Sequence, residues 1–144
     1  VAAALFCERV LQEGDGVLSA IRIVDQQVLH LIGANVPGDM PPAMLNTTLL
    51  IALKAGQTRG RYAVRIAPEA PSGEGMPPVD FAVNFMGGDG EQGINLVVPM
   101  QMQVAQEGLY WFDVVWVDPK VDPEAGALLT RVPLRVVYQP VATS

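Results

Sequence analysis

The chain is poor in the residues that do chemistry. Its 144 residues include one cysteine, Cys7, and one histidine, His30. A single cysteine excludes an internal disulfide and any multi-cysteine zinc site, and it fits a reducing, cytoplasmic setting. Serine is confined to Ser19, Ser72 and Ser144, none of them in a G-x-S-x-G elbow. Nucleophilic catalysis needs nucleophile, base and orienting group together, and no spacing here brings Cys7 to His30. Aromatic residues make up only 6 %, so Asp80, Glu107 and Asp113 lack the aromatic surroundings of a glycosidase pair. No apolar run reaches the ~18 residues of a membrane-spanning helix. Charged residues are 17 % and the formal net charge is −6, which argues against nucleic acid or an anionic membrane as partner.

What the chain does have is apolar residues, 50 % of the total, arranged with a period of two. The clearest case is Glu107 to Tyr138. Tyr110, Phe112, Val114 and Trp116 form one row; Leu128, Thr130, Val132, Leu134, Val136 and Tyr138 form another. Alternate residues of a strand share a face, so each row is the core face of a strand. Residues 118–127 between them carry Pro119, Pro123 and Gly126, which break strands. This reads as a hairpin with a long loop. Shared parity then places Asp113 opposite Arg131, Phe112 opposite Val132 and Tyr110 opposite Leu134.

The same period recurs along the chain. Residues 3–12 fit either a helical stripe or a strand face. The turn chemistry of Glu13-Gly14-Asp15-Gly16 and the β-rich run after it favour strand. Val17 to Val24 is the next run, extendable through Val28, His30 and Ile32 to Gly33. Residues 34–46 read as a loop, then Thr47 to Leu53 alternates. After a turn at 55–60, Arg61 to Ile66 alternates, and 68–78 is a Pro-rich loop. Val79 to Phe85 follows, then the glycine-rich tip 87–93. That tip lacks the lysine and following helix of a phosphate loop. Ile94 to Val104 is the longest unbroken alternation, with Pro99 marking an edge or a bulge. Its Met100 and Met102 read as core filler rather than copper ligands. Length and pattern together predict one domain over residues 1–144, a single antiparallel β-sandwich of about eight strands.

Two local features stand out. Gly60-x-Tyr62 and Gly108-x-Tyr110 both open strands, and Glu107-Gly-Leu-Tyr resembles a tyrosine corner, in which a strand-opening Tyr bonds to upstream backbone. The opening Val1 to Cys7 has neither a positive residue ahead of a secretory apolar run nor a small residue before a lipidated cysteine. Cys7 therefore reads as a small buried hydrophobe.

Several segments carry a family resemblance: Ala4-Leu-Phe-Cys-Glu, Asn95-Leu-Val-Val-Pro, Glu107-Gly-Leu-Tyr-Trp-Phe-Asp and Leu129-Thr-Arg-Val-Pro-Leu-Arg-Val. They resemble a family of small bacterial β-rich proteins with no assigned activity, most specifically over 94–138. The resemblance implies a bacterial, mostly β protein and carries no functional residue across.

The functional expectation rests on the loops. If every connection reverses the chain, the loops at 13–16, 55–60, 87–93 and 118–127 emerge at one end. Glu13, Asp15, Asp89, Glu91, Asp118, Asp122 and Glu124 would gather there against Arg59 and Lys120. Asp15, Asp89, Glu91, Asp118 and Asp122 are the candidate partner-binding residues, and a basic protein surface is the expected partner. A reversal near Asp25 would send the first loop to the other end. The chain thus reads as a non-enzymatic binding or structural module without a cofactor. The alternatives are a hydrolase whose site is not visible in sequence, or a sandwich domain binding calcium or glycan through loop carboxylates. Pro133 implies a free edge or a bulge in the last strand, and a free edge invites a homodimer by strand addition.

Overall fold

The computed structural model describes residues 2–14, 17–33, 40–54, 59–86, 93–122 and 126–142. Among them there is no helix, and nine strands form two sheets. The strands are β1 (Ala2–Gln12), β2 (Leu18–Val24), β3 (Gln26–Gly33), β4 (Ala43–Lys54), β5 (Arg59–Glu69), β6 (Val79–Met86), β7 (Gly93–Val104), β8 (Gly108–Val117) and β9 (Ala127–Ala142). One sheet has the order β2-β1-β4-β7, the other β3-β9-β8-β5-β6. The ambiguous first segment is strand, as its turn chemistry predicts.

Two parts of the fold expectation are corrected. The run from Val17 to Gly33 is not one strand: it bends at Asp25, and its halves join different sheets. That raises the count from eight to nine. The fold is also not wholly antiparallel, because β3 runs parallel to β9, with Gln26 opposite Arg135 and Gly33 opposite Ala142. The junction is held where Arg135 N–H donates to the Asp25 carbonyl at 3.0 Å. No periodicity announces such a bend, since apolar alternation continues on both sides of it.

The core lies between the sheets. Leu45, Leu49, Ile51 and Phe6 from one sheet meet Val64, Ile66, Phe112, Val114 and Leu134 from the other, all essentially without exposure. Phe6 and Phe112 touch edge to face across the gap, ring centres 4.8 Å apart and planes at 68°. Met100 is buried and Met102 packs on the core, as filler should. Strand β4 starts at Ala43 rather than Thr47, because Leu45 already belongs to its buried row.

The last hairpin keeps its predicted register over most of its length. Asp113 faces Arg131, Phe112 faces Val132 and Tyr110 faces Leu134. Below Val114 the register slips by one: Val114 faces Thr130, but Val115 faces Leu128. Leu129 is the extra residue of a bulge, and a bulge inverts parity beyond it. Leu128, expected in the core, is therefore 59 % exposed, and Leu129 packs inward instead.

On the outer face, Arg131 ties three side chains together. Its Nε donates to Asp113 Oδ1 at 2.7 Å, its Nη2 to Glu69 Oε2 at 3.0 Å, and its Cζ lies 4.8 Å from the Trp111 ring centre. These groups are partly solvated, so screening keeps the pairs weak, about 0.2–1 kcal/mol each. Arg131→Ala should lower stability by about 1 kcal/mol in urea titration. Arg131→Lys should recover only part of the loss, because one ammonium cannot reproduce the fork.

Backbone direction explains the prolines. Alternate residues of β9 present N–H to opposite sides. Arg135 N–H points to the β3 side, while Tyr138 N–H points to the β8 side and donates to Glu107 Oε1 at 2.7 Å. By that alternation the Pro133 nitrogen lies on the β3 side. β3 pairing begins only at Arg135, so no described strand pairs there. The Pro140 nitrogen lies on the β8 side, beyond the last β8 pairing at Val136. Each proline sits where an N–H would have had no strand partner. Pro99 likewise falls in β7, an edge strand.

Candidate functional site

The pairing registers decide where the loop acids lie. Lys54 faces Gly93, Arg59 faces Met86, Ala63 faces Val117 and Trp116 faces Ala127. The strand ends that flank 55–58, 87–92 and 118–126 therefore share one end of the molecule. β1 runs the other way along β4, with Ala2 opposite Leu53 and Cys7 opposite Thr48. Its last residue, Gln12, and the adjoining Glu13 are thus at the far end. Glu13 accepts from Ser19 Oγ at 2.8 Å and its N–H donates to the Val17 carbonyl at 2.7 Å. The reversal at Asp25 has removed Glu13 from the expected pole. Asp15, Asp89, Glu91 and Glu124 lie outside the described residues, which leaves Asp118 and Asp122 as the acids the structure places.

Those two aspartates belong to a built turn. Asp118 Oδ1 accepts from the Lys120 N–H at 3.0 Å, and its carbonyl accepts from the N–H groups of Val121 and Asp122, both at 3.1 Å. An aspartate that bonds backbone two residues on is a standard turn-former, so Asp118 has a structural job besides its charge. The Lys120 side chain leans towards β5: its Nζ lies 3.8 Å from the place a Cβ on Gly60 would take.

Beside this turn is a depression of about 270 Å³ lined by Trp116, Asp118, Val121, Asp122, Gly126 and Ala127. Its aromatic wall is braced from below. The Trp116 ring centre is 4.5 Å from Tyr62 and 5.6 Å from Phe85, which lie 6.3 Å from each other. Val121, 81 % exposed, stands at the opening. The depression is mostly apolar and is bordered by an anchored indole and two aspartate residues. Sequence pattern assigned Trp116 to the core row, and it does pack against the core; its second position, as a wall of this depression, was not read from sequence. The available signal was its place as the last large residue before the acidic loop.

The other candidates separate. Cys7 is wholly buried on β1, and burial pushes its thiol pKa up, so it is an inert packing residue. His30 is exposed on β3, as expected of a surface-facing strand residue. It lines a different depression, with Val28, Leu29, Pro41, Pro42, Ala43 and Tyr138 and no carboxylate. Among the described residues, no three of His, Cys, Asp or Glu are grouped to hold a metal ion, and no helix is long and apolar enough to cross a membrane.

The two glycine–tyrosine openings are one device used twice. Gly60 and Gly108 both have positive φ, +116° and +128°. Tyr62 Oη donates to the Arg59 carbonyl at 3.3 Å and Tyr110 Oη to the Gln106 carbonyl at 2.9 Å. Burial raises the Tyr110 pKa, as it does that of Cys7. Raised folded-state values mean that the unfolded chain releases these protons first. Their contribution to stability is intact below the ordinary values of 9.0 and 10.0 and is lost as pH rises through the folded ones. Urea midpoints should therefore fall from about pH 9 upward, and Cys7→Ala should remove the earlier part of that slope.

Compared with protein-family models, curated proteins and solved structures, this chain matches none, and the reading of its site rests on the geometry above.

Proposed function

We propose that this two-sheet protein is a non-enzymatic binding module that takes a basic segment of another protein at its Asp118–Asp122 end. The observation that carries this is the depression in which Trp116, Asp118 and Asp122 share walls. An indole attracts a lysine or arginine head through its ring face, and a nearby carboxylate adds charge. The hydrogen-bonded turn pre-organises that arrangement, so little ordering cost falls on binding. A formal charge of −6 steers basic partners towards the molecule as a whole.

Calorimetry with lysine- and arginine-rich peptides tests it. Binding should weaken with salt and fall about tenfold or more in Trp116→Ala and in the pair Asp118→Asn, Asp122→Asn. Asparagine keeps the turn at 118, so the loss reports charge rather than unfolding. Affinity unchanged by these substitutions would remove the proposal. A thermal shift with calcium alone, abolished by the same pair, would favour the calcium-binding alternative instead.

A further inference from the structure

The pattern Trp-x-Asp occurs twice in quick succession, as Trp111-Phe-Asp113 and as Trp116-Val-Asp118. Residues two apart in a strand share a face, so the pattern sets an indole and a carboxylate on one side. The first copy lies on the outer face of β8, and the chain itself supplies what it holds. Arg131 lies over Trp111 with its Cζ 4.8 Å from the ring centre, and its Nε donates to Asp113 Oδ1 at 2.7 Å. Its Nη2 donates to a second acid, at Glu69 Oε2, over 3.0 Å. The registers account for all three contacts: Trp111 faces Glu69 in β5, and Asp113 faces Arg131 in β9.

The second copy has the same parts in a different setting. Trp116 and Asp118 line the depression of about 270 Å³ at the end of β8, and the turn brings Asp122 round as the second acid. Here β9 places Ala127 opposite the indole, and residues 118–127 contain no arginine. The basic residues of this end, Arg59 and Lys120, are not among those that line the depression, and the Lys120 side chain leans to Gly60.

We infer that the depression at Trp116 takes an arginine side chain in preference to lysine, as Trp111 and its two acids take Arg131. The inference rests on the reading that a basic segment binds at this end, and it names the side chain. A guanidinium is planar, so it stacks on an indole while its N–H groups reach acceptors at the ring's edge. Tyr62 at 4.5 Å and Phe85 at 5.6 Å brace the Trp116 ring for that stacking. The remaining walls, Val121, Gly126 and Ala127, are apolar. Leaving water for such walls costs a weakly hydrated guanidinium less than a strongly hydrated ammonium. The fork also serves two separate acids, as it does at Asp113 and Glu69. Asp118 Oδ1 already accepts from the Lys120 N–H, but a carboxylate has about four acceptor positions, so it can accept again.

The test uses capped glycine–serine peptides that differ only in one central residue: arginine, lysine or citrulline. The arginine and lysine peptides carry equal charge, so attraction to the net charge of −6 is the same for both. Citrulline keeps the planar shape and lacks the charge. Each peptide is titrated to millimolar concentration while the indole N–H resonances, assigned with Trp111→Phe and Trp116→Phe, are followed by NMR. The arginine peptide should move the Trp116 resonance with a Kd about fivefold or more below that of the lysine peptide. The Trp111 resonance should stay in place, because Arg131 already covers that ring. In Asp118→Asn the preference for arginine should shrink. Equal Trp116-dependent affinities for arginine and lysine would overturn the arginine inference and leave the basic-segment reading standing. Citrulline bound as tightly as arginine would overturn the part given to the two acids. No response to either charged peptide would overturn the basic-segment reading and the inference with it.

Discussion

Phe112→Ala should cost about 3–5 kcal/mol, the range for removing a fully buried phenyl group. Phe112 has no exposure, and it joins the two sheets through its edge-to-face contact with Phe6. The loss has two parts: the transfer free energy of the ring, and a cavity that strands on either side cannot collapse to fill. Phe112 faces Val132 across the hairpin, below the tyrosine corner and above the bulge, so backbone on both sides is held. Urea unfolding followed by circular dichroism should show the midpoint falling with little change in slope. Phe6→Ala should cost a similar amount. The double variant should cost less than the sum by about 0.5–1.5 kcal/mol, the value of an aromatic pair beyond its area. Strict additivity would mean that the ring contact contributes nothing beyond burial.

Phe112 is also where sequence reading was strongest. Alternation is a local signal, and in β8 and upper β9 nothing interrupts it, so face, register and the Asp113–Arg131 pairing were all legible. Pro99 and Pro133 were legible for a chemical reason: a missing N–H needs an unpaired side. What failed was non-local. The bend at Asp25 changes sheet without changing pattern, because β2 and β3 are both apolar strands and one exposed residue divides them. The parallel pairing and the relocation of Glu13 follow from that residue. The bulge at Leu129 escaped because Leu128 and Leu129 are both apolar, so either parity looked acceptable.

The candidate site was half legible. Asp118 and Asp122 could be placed at a hairpin end from turn chemistry alone. Their grouping with Trp116 lies beside the bulge, where the return of the loop approaches β8. Gly126 lies so close to β8 that a Cβ there would clash with Val115 Cγ1 and fall 3.0 Å from the Trp116 carbonyl. That approach brings the loop's return onto Trp116 and closes one wall of the depression. Glycine in a loop normally reports turn conformation; here it reports close approach, which only three-dimensional packing reveals.

Gly108→Ala should destabilise the protein by about 2–6 kcal/mol, more than the same change at Gly60. Both glycines have φ in the region that side chains avoid, and that strain costs about 1–3 kcal/mol at either position. The surroundings differ. At Gly60 the nearest atoms to a new Cβ are 3.8 Å away, ordinary contact distance. At Gly108 the new Cβ meets Pro71 Cβ at 2.9 Å and Cγ at 3.0 Å. Pro71 cannot yield easily, because its loop is tied by Ala70 N–H to the Glu74 carbonyl, Gly73 N–H to the Ala70 carbonyl and Met76 N–H to the Pro68 carbonyl, each at 2.9 Å. Relief of the clash must come from the corner itself, where Tyr110 reaches back to Gln106. Overpacking of this kind adds about 1–3 kcal/mol. Two further variants separate the causes. Pro71→Ala in the Gly108→Ala background removes the Cγ contact and should recover part of the excess over Gly60→Ala. Tyr110→Phe alone should cost about 1 kcal/mol for the buried hydrogen bond, and should cost less in the Gly108→Ala background if the corner has already shifted. Equal losses at Gly60 and Gly108 in urea titration would show that Pro71 gives way, and that the corner is held by backbone conformation rather than by the loop packed on it.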